Sequence, residues 1–241
     1  PAARGAFLKN RPPGPPKKRL ITTHSRYDTA LSAEGIAGTI EFRGKKKWLA
    51  KLQTVDALSY FFLSRLFNRL GINGGIFFGN FAFKKEVYEK IGGFAAIGFA
   101  LTEDLSFYRA MRAKGLNVQF SAAAPVSVRA AGSWRDLIRR NRRVSSGGFS
   151  FLSLFLGMWL ISLIVLFVLA AGTSPAIKIL SGVRYLFGAG FAAYAIIKSR
   201  RFSLLPTALI YEASVIILGI LTLFSLLVKR KIVWGGVVYD R

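Results

Sequence analysis

The sequence predicts an α/β domain followed by transmembrane α-helices. Three observations predict it. Short β-prone runs alternate with runs of helical period up to about residue 148. Charge then disappears from Phe149 to Ala171, and two further apolar segments follow. The 241 residues suffice for one domain plus a membrane part.

In chain order, residues 1–19 are basic and proline-rich, through Arg11-Pro12-Pro13-Gly14-Pro15-Pro16-Lys17-Lys18-Arg19. Proline fixes φ and removes a backbone donor, so this segment predicts an extended linker or disorder. Leu20-Ile21-Thr22-Thr23 is a short β-prone run. Between residues 47 and 70, Trp48, Leu49, Leu52, Val55, Leu58, Phe61, Phe62, Leu66 and Leu70 recur at three- and four-residue steps, the signature of an amphipathic helix. Gly74 to Phe83 combines helix-breaking glycines with aromatics and reads as a strand or buried loop. Lys85–Ile91 reads as a short helix stopped by Gly92-Gly93. Thr102 is placed to cap a helix from Glu103 to about Lys114, ended by Gly115. Val118-Gln119-Phe120 predicts a strand, and Ser133 caps a basic helix from Trp134 to about Val144.

The uncharged run from Phe149 to Ala171 exceeds the roughly 20 residues that cross a bilayer core. A second span, about Ile179–Ile197, contains Arg184, and a third, about Leu204–Val228, contains Pro206 and Glu212. An ionisable residue inside a span is costly and raises the question of function. For Glu212 the preferred reading is a position near an interface, or a segment that is not a true span. The organisation predicted is therefore a segment at 1–19, a cytoplasmic domain at 20–148, a membrane region at 149–228 and a tail at 229–241. The positive-inside rule puts Arg139–Arg143 in the cytoplasm and returns Lys198–Arg201 there. A third full crossing would put Lys229–Lys231 outside, so either the third segment dips back or the second is not a full span.

Lys and Arg number 35 against 11 Asp and Glu, a formal net charge of +24, and most of the basic residues precede Phe149. Such charge beside apolar spans fits anionic lipids or anionic substrates. No zinc-finger spacing and no RNP-type motif is present, which argues against nucleic acid. The chain has no cysteine and one histidine, His24, which argues against disulfides, thiolate metal sites and a histidine-based triad. It begins at Pro1 without a signal-peptide pattern, and reads as a fragment or processed product.

Two groups carry candidate chemistry. Glu103 and Asp104 open a predicted helix, where acids offset the macrodipole. The functional alternative is a general base that deprotonates an acceptor hydroxyl. Arg139, Arg140, Arg142 and Arg143 precede the first span, where a basic run marks topology and meets headgroups. The alternative is a phosphate clamp, since the planar guanidinium binds phosphate oxygens bidentately. Gly79 and Asn80 lie in a segment where missing side chains let backbone approach a ligand such as an acceptor sugar.

Together these residues resemble membrane-bound, processive-type members of glycosyltransferase family 2, from about residue 20 to the end. Gly79-Asn80-Phe81-Ala82-Phe83-Lys84-Lys85-Glu86-Val87-Tyr88 and Ile91-Gly92-Gly93-Phe94 look like the family's acceptor-side segment. Leu101-Thr102-Glu103-Asp104 is similar to its Glu-Asp motif, which implies Asp104 as catalytic base with Glu103 beside it. Arg140-Asn141-Arg142-Arg143-Val144 resembles its Gln-x-x-Arg-Trp motif, with Arg140 in place of Gln and Val144 in place of Trp. The resemblance implies donor-diphosphate binding by Arg143 and Arg140, and acceptor binding near Gly79 and Asn80. Trp234-Gly235-Gly236-Val237-Val238-Tyr239 resembles a Trp-Lys-Gly-Arg-x-Tyr ending without its basic residues.

The resemblance further implies a GT-A (Rossmann-like) domain, incomplete here because its nucleotide-binding half would precede these residues. It implies Mg²⁺ or Mn²⁺ held by an Asp-x-Asp motif. Those aspartates are not evident, the matching position reading Thr22-Thr23-His24, and no metal ligand is assigned. The expected function is inverting sugar transfer from a nucleotide-sugar donor to a polysaccharide or lipid-linked hydroxyl, at the cytoplasmic face of a cell inner membrane. The fragment itself can be an inactive form of such an enzyme. The other reading is a non-enzymatic, membrane-anchored scaffold whose cations bind anionic lipid.

Overall fold

A computed structural model describes residues 33–72, 74–76, 78–98, 100, 102–146, 151–170, 175–228, 232–234 and 237–239. The expectations for the 1–19 segment, for the run at Leu20–Thr23 and for His24 lie outside the described residues. Strand β1 (Gly35–Arg43) leads into helix α1 (Lys47–Arg69). A 3-10 turn at Phe78–Asn80 precedes β2 (Phe81–Phe83), α2 (Lys85–Ile91) and α3 (Gly93–Ile97). Then come α4 (Glu103–Ala113), β3 (Val118–Arg129) and α5 (Trp134–Ser146). Three long helices follow, α6 (Phe151–Ala170), α7 (Pro175–Lys198) and α8 (Leu205–Val228), and the antiparallel pair β4 (Ile232–Trp234) and β5 (Val237–Tyr239) ends the described chain.

The main sheet is mixed, in the order β2-β1-β3, with β2 antiparallel and β3 parallel to β1. β1 is the central strand, yet its two glycines lower strand propensity, and the sequence reading passed over it. Both glycines answer to packing. A Cβ on Gly35 would meet the Phe81 ring at 2.9 Å, and one on Gly38 would overlap the Asn80 amide. β3 runs nine residues past the predicted Val118–Phe120, because β1 supplies a parallel partner as far as Arg129. A register shift opposite Gly38–Ile40 takes up the Ala122–Pro125 stretch, where Pro125 would break a regular ladder.

Phe107, Tyr108 and Met111 of α4 are fully buried against Ala37, Val87, Ile91, Leu116 and Val118, forming the core on one side of the sheet. Gly92 ends α2 in the left-handed conformation at φ 88°, as the Gly92-Gly93 pair predicts. Ser133 caps α5: its Oγ accepts from the Asp136 N–H and donates to the Asp136 carboxylate at 2.7 Å. Thr102 occupies the cap position of α4, but its side chain makes no capping hydrogen bond.

A second core joins α1 to the long helices. Val55, Leu58, Phe61 and Phe62 pack on Ala192, Ala195, Ile196, Leu204 and Ala208. The alanines let the helices approach closely. α6 carries no charge over its 20 residues. By length and composition, Pro175–Lys198 and Phe202–Leu226 can cross a membrane, with mean hydropathies of 1.4 and 2.1. Only 39% and 11% of their most apolar stretches are covered by the chain, whereas the core helix of a soluble protein is mostly buried. Pro175 and Pro206 fall in the first turns of α7 and α8, where a missing N–H costs nothing.

Arg184 and Glu212, which look like interruptions in the sequence, face each other. Arg184 Nη1 lies 3.7 Å from Glu212 Oε2, with side chains 9% and 5% exposed. Arg184 Nη2 donates to the Trp159 carbonyl at 3.0 Å, and its guanidinium lies 3.2 Å from the Trp159 ring centroid. Gly188 leaves the space that the Glu212 carboxylate occupies. Glu212 is thus buried about two turns inside a continuous helix. The pair ties α6, α7 and α8 at one level. Removing one partner strands a buried charge, so Glu212→Leu should destabilise the folded protein by about 3–5 kcal/mol. Adding Arg184→Leu should recover most of that loss, as read by a double-mutant cycle of detergent-solubilised unfolding.

Candidate active site

The site is organised by a polar stripe on α1. Its apolar face is buried, but Gln53, Asp56, Tyr60 and Ser64 recur at steps of three and four residues. At 100° per residue they lie within an arc of about 80°. Together they meet three different parts of the chain. Gln53 Nε2 donates to the carbonyls of Leu49 at 3.1 Å and Ala131 at 3.2 Å. Its Oε1 accepts from the Ala131 N–H at 2.9 Å and from Arg140 Nη1 at 3.1 Å. Asp56 Oδ1 accepts from the Tyr211 hydroxyl of α8 at 2.9 Å. The Tyr60 hydroxyl donates to the Gly74 carbonyl at 3.1 Å, and Ser64 Oγ to the same oxygen at 3.4 Å.

Asp104 stands in the first turn of α4, half-buried, where the macrodipole favours negative charge. Its Oδ1 accepts from the Leu105 N–H at 2.9 Å. α4 is held by its buried Phe107, Tyr108 and Met111, and by the Tyr108 hydroxyl donating to Asn68 Oδ1 of α1 at 2.7 Å. Burial, and secondly the charge of Asp104, push the Tyr60 phenol well above its ordinary value. The charge of Asp104 is thus felt at Tyr60 on α1. Glu103, also half-buried, opens the same turn.

Arg140 meets the stripe at Gln53, about two turns before Tyr60. Besides Gln53, its guanidinium covers the Phe42 ring at 4.8 Å from the centroid. Burial pulls Arg140 below its ordinary value, the nearby Asp56 carboxylate opposes this, and the like charge of Arg143 adds to it. The guanidinium stays protonated at any ordinary pH. Arg143 follows at i+3, half-buried on the same helix, and Arg142 is buried. Both sequence-predicted groups act on α1: the charge of Asp104 is felt at Tyr60, and Arg140 donates to Gln53, about two turns earlier on the same helix.

Gly79 and Asn80 are placed against β1. A Cβ on Gly79 would press on Ile40 Cδ1 at 3.0 Å, and Asn80 Nδ2 donates to the Thr39 carbonyl at 2.8 Å. Both therefore fix the 3-10 turn to the sheet. Two cavities of about 460 Å³ lie along α1, one at each half. Neither is lined by Asp104, Arg140 or Arg143. The sequence reading missed Gln53, Asp56 and Tyr211. A signal was present for the first two, polar residues at core positions of an amphipathic helix. Tyr211 gave none, because tyrosine is ordinary in an apolar segment. Among the described residues no group of three His, Cys, Asp or Glu side chains could hold a metal ion. They do not fit the divalent cation that the resemblance implies, and the matching Thr22–His24 position lies outside the described residues.

Burial raises the Asp56 carboxyl above its ordinary value, with Arg140 and the Tyr211 bond opposing it only in part. The sign follows from linkage: a raised folded value favours the protonated form. The contribution of Asp56 to stability is fully present below the ordinary carboxylate range and is lost as pH rises through the raised value. Asp56→Asn should therefore gain stability relative to wild type as pH climbs from about 4 to 7, by about 1.4 kcal/mol per unit of raising. Urea unfolding of both proteins in detergent at several pH values measures the difference.

Compared with known proteins, residues 27–228 match the model of the family described as glycosyl transferase family group 2. No curated protein and no solved structure gave a match. The match covers the sheet, the stripe on α1, Asp104, the arginine helix and all three long helices. The chain belongs to glycosyltransferase family 2, and its activity is in general that of a glycosyltransferase.

Proposed function

We propose that this protein transfers a sugar, with inversion, from a nucleotide-sugar to a hydroxyl of a polysaccharide or lipid-linked acceptor, at the cytoplasmic face of a cell inner membrane. Asp104 is the general base. It takes the proton of the acceptor hydroxyl, and the freed oxygen pair attacks the anomeric carbon. The bond from that carbon to the donor phosphate breaks, and its electron pair leaves with the nucleoside diphosphate. Arg143 meets the charge that grows on the diphosphate. Arg140 belongs to the same grip and also sets the position of the helix, through Gln53 and Phe42. Glu103 contributes charge to the same turn, and the acceptor approaches past the Gly79–Asn80 turn.

The observation that supports this reading is that the arginine helix is bonded to α1 through Gln53 while the charge of Asp104 acts on Tyr60 of the same helix. A base on a loop would lose geometry that acid–base catalysis needs, whereas α4 is anchored by fully buried side chains. The membrane placement rests on α7 and α8, and on Arg201, whose Nη2 lies 3.6 Å from Glu41 of β1. That pair keeps the basic α7–α8 connection on the side of the sheet, the side the positive-inside rule assigns to the cytoplasm.

The test is release of nucleoside diphosphate from a panel of UDP-, GDP- and dTDP-hexoses by the membrane-reconstituted protein. Asp104→Asn should lower kcat by about 10²–10⁴-fold while donor affinity stays unchanged. Unfolding midpoint and membrane incorporation should match wild type. Undiminished turnover in that variant would reject the base. Arg143→Gln should instead weaken binding of free nucleoside diphosphate, by about tenfold or more for a charge-assisted contact.

A further inference from the structure

We propose that the groove between the C-terminal halves of α1 and α7 is a binding site for the headgroup of an anionic phospholipid; this rests on the membrane placement above, not on the sugar transfer. Phe62, Arg65, Leu66 and Arg69 stand at i, i+3, i+4 and i+7, one face of α1. Phe191, Tyr194 and Lys198 stand at i, i+3 and i+7, one face of α7. The two faces meet where the Phe62 and Tyr194 rings pack edge to face, 5.8 Å between centroids, and they enclose a cavity of about 460 Å³. The lining separates into two chemistries. The walls are aromatic and aliphatic; the charged residues are Arg65, Arg69 and Lys198, and no acid lines the cavity.

Among the described residues none of these three cations has an ion-pair partner. Arg69 and Lys198 end their helices, whose last carbonyls each carry about half a negative charge. Three full positive charges against two halves leave the groove net cationic, fit for one phosphodiester. The occupant is a lipid rather than a soluble anion because the apolar part continues outward. Leu66 and Tyr194 are 47% and 48% exposed, and Phe187 and Val183 extend the open apolar face along α7, a helix able to cross the membrane. A headgroup phosphate at the cations lets acyl chains follow that face. Basic pockets beside membrane helices on the cytoplasmic side favour anionic headgroups in this way, and tyrosine suits the headgroup level.

The experiment uses the full chain in nanodiscs of phosphatidylcholine with and without phosphatidylglycerol, and reads retained lipid by native mass spectrometry after release into neutral detergent. Wild type should keep phosphatidylglycerol in preference to phosphatidylcholine. Each of Arg65→Gln, Arg69→Gln and Lys198→Gln should weaken retention about fivefold. The charge-keeping pair Arg65→Lys with Arg69→Lys should retain it, and the remote triple Lys84→Gln, Lys85→Gln and Lys90→Gln should leave it unchanged. Equal retention in the remote triple and in a protein carrying Arg65→Gln, Arg69→Gln and Lys198→Gln together overturns the proposal. So does full displacement of phosphatidylglycerol by millimolar inorganic phosphate, which would make this a soluble-anion site. A protein that fails to co-elute with nanodiscs overturns the membrane placement itself, whereas one that co-elutes without lipid preference overturns this site alone.

Discussion

Burying polar groups on α1 is the constraint around which the rest of the structure is arranged. A helix sandwiched between a sheet and the ends of other helices would ordinarily be apolar on its covered faces. α1 instead covers an amide, a carboxyl, a phenol and a hydroxyl, and an unpartnered buried polar atom costs about 1–3 kcal/mol. The chain supplies partners from four directions: the Ala131 backbone, Arg140, Tyr211 and the Gly74 carbonyl. Gln53 alone makes four hydrogen bonds, the full capacity of its NH₂ donors and two at its oxygen. Each partner lies on a different segment, so satisfying the stripe fixes where those segments stand. The arginine helix and α8 are set relative to α1 by this requirement.

The same stripe connects the sheet domain to the long helices. Asp56 holds Arg140 by charge and Tyr211 by a hydrogen bond. Around it the apolar residues of α1 meet Ala192, Ala195 and Ala208 with little exposed surface. The domain therefore does not hang from the helices on a tether. Its central helix is part of their packing, and a shift of α8 at Tyr211 would act directly on the carboxyl beside Arg140. Arg184 and Glu212 extend the pattern further along the helices, where a buried pair fixes which faces meet.

Much of this was legible in the sequence wherever local chemistry decides the outcome. The apolar period of α1, the glycine stop after α2 and the Ser133 cap all use signals confined to a few neighbouring residues. β1 was not legible, because its glycines are explained only by Phe81 and Asn80, which arrive from forty residues away. The length of β3 depended on β1 in turn, so one missed strand concealed most of a second. For the site, the Glu-Asp pair and the arginine run were visible as residue types, and the α4 and α5 assignments placed both on helices. Their relation was not visible, since Gln53 and Asp56 look like minor flaws in an amphipathic pattern until the partners are known.

Arg140 shows how a departure from a motif is absorbed. The resemblance has a neutral glutamine at this position, and a guanidinium there brings a full charge into a half-buried place. A charge so placed needs a counter-charge and acceptors, or its helix would be pushed outward. Asp56 supplies the counter-charge, Gln53 the acceptor, and Phe42 a ring face. The motif's tryptophan position is treated differently. Val144 is exposed, so a smaller side chain there removes contact area without leaving a buried void. The two departures thus act on different things: the first is built into the frame that orients the arginine helix, and the second changes a surface. Arg143, between them in the motif, keeps both its residue type and a half-buried position.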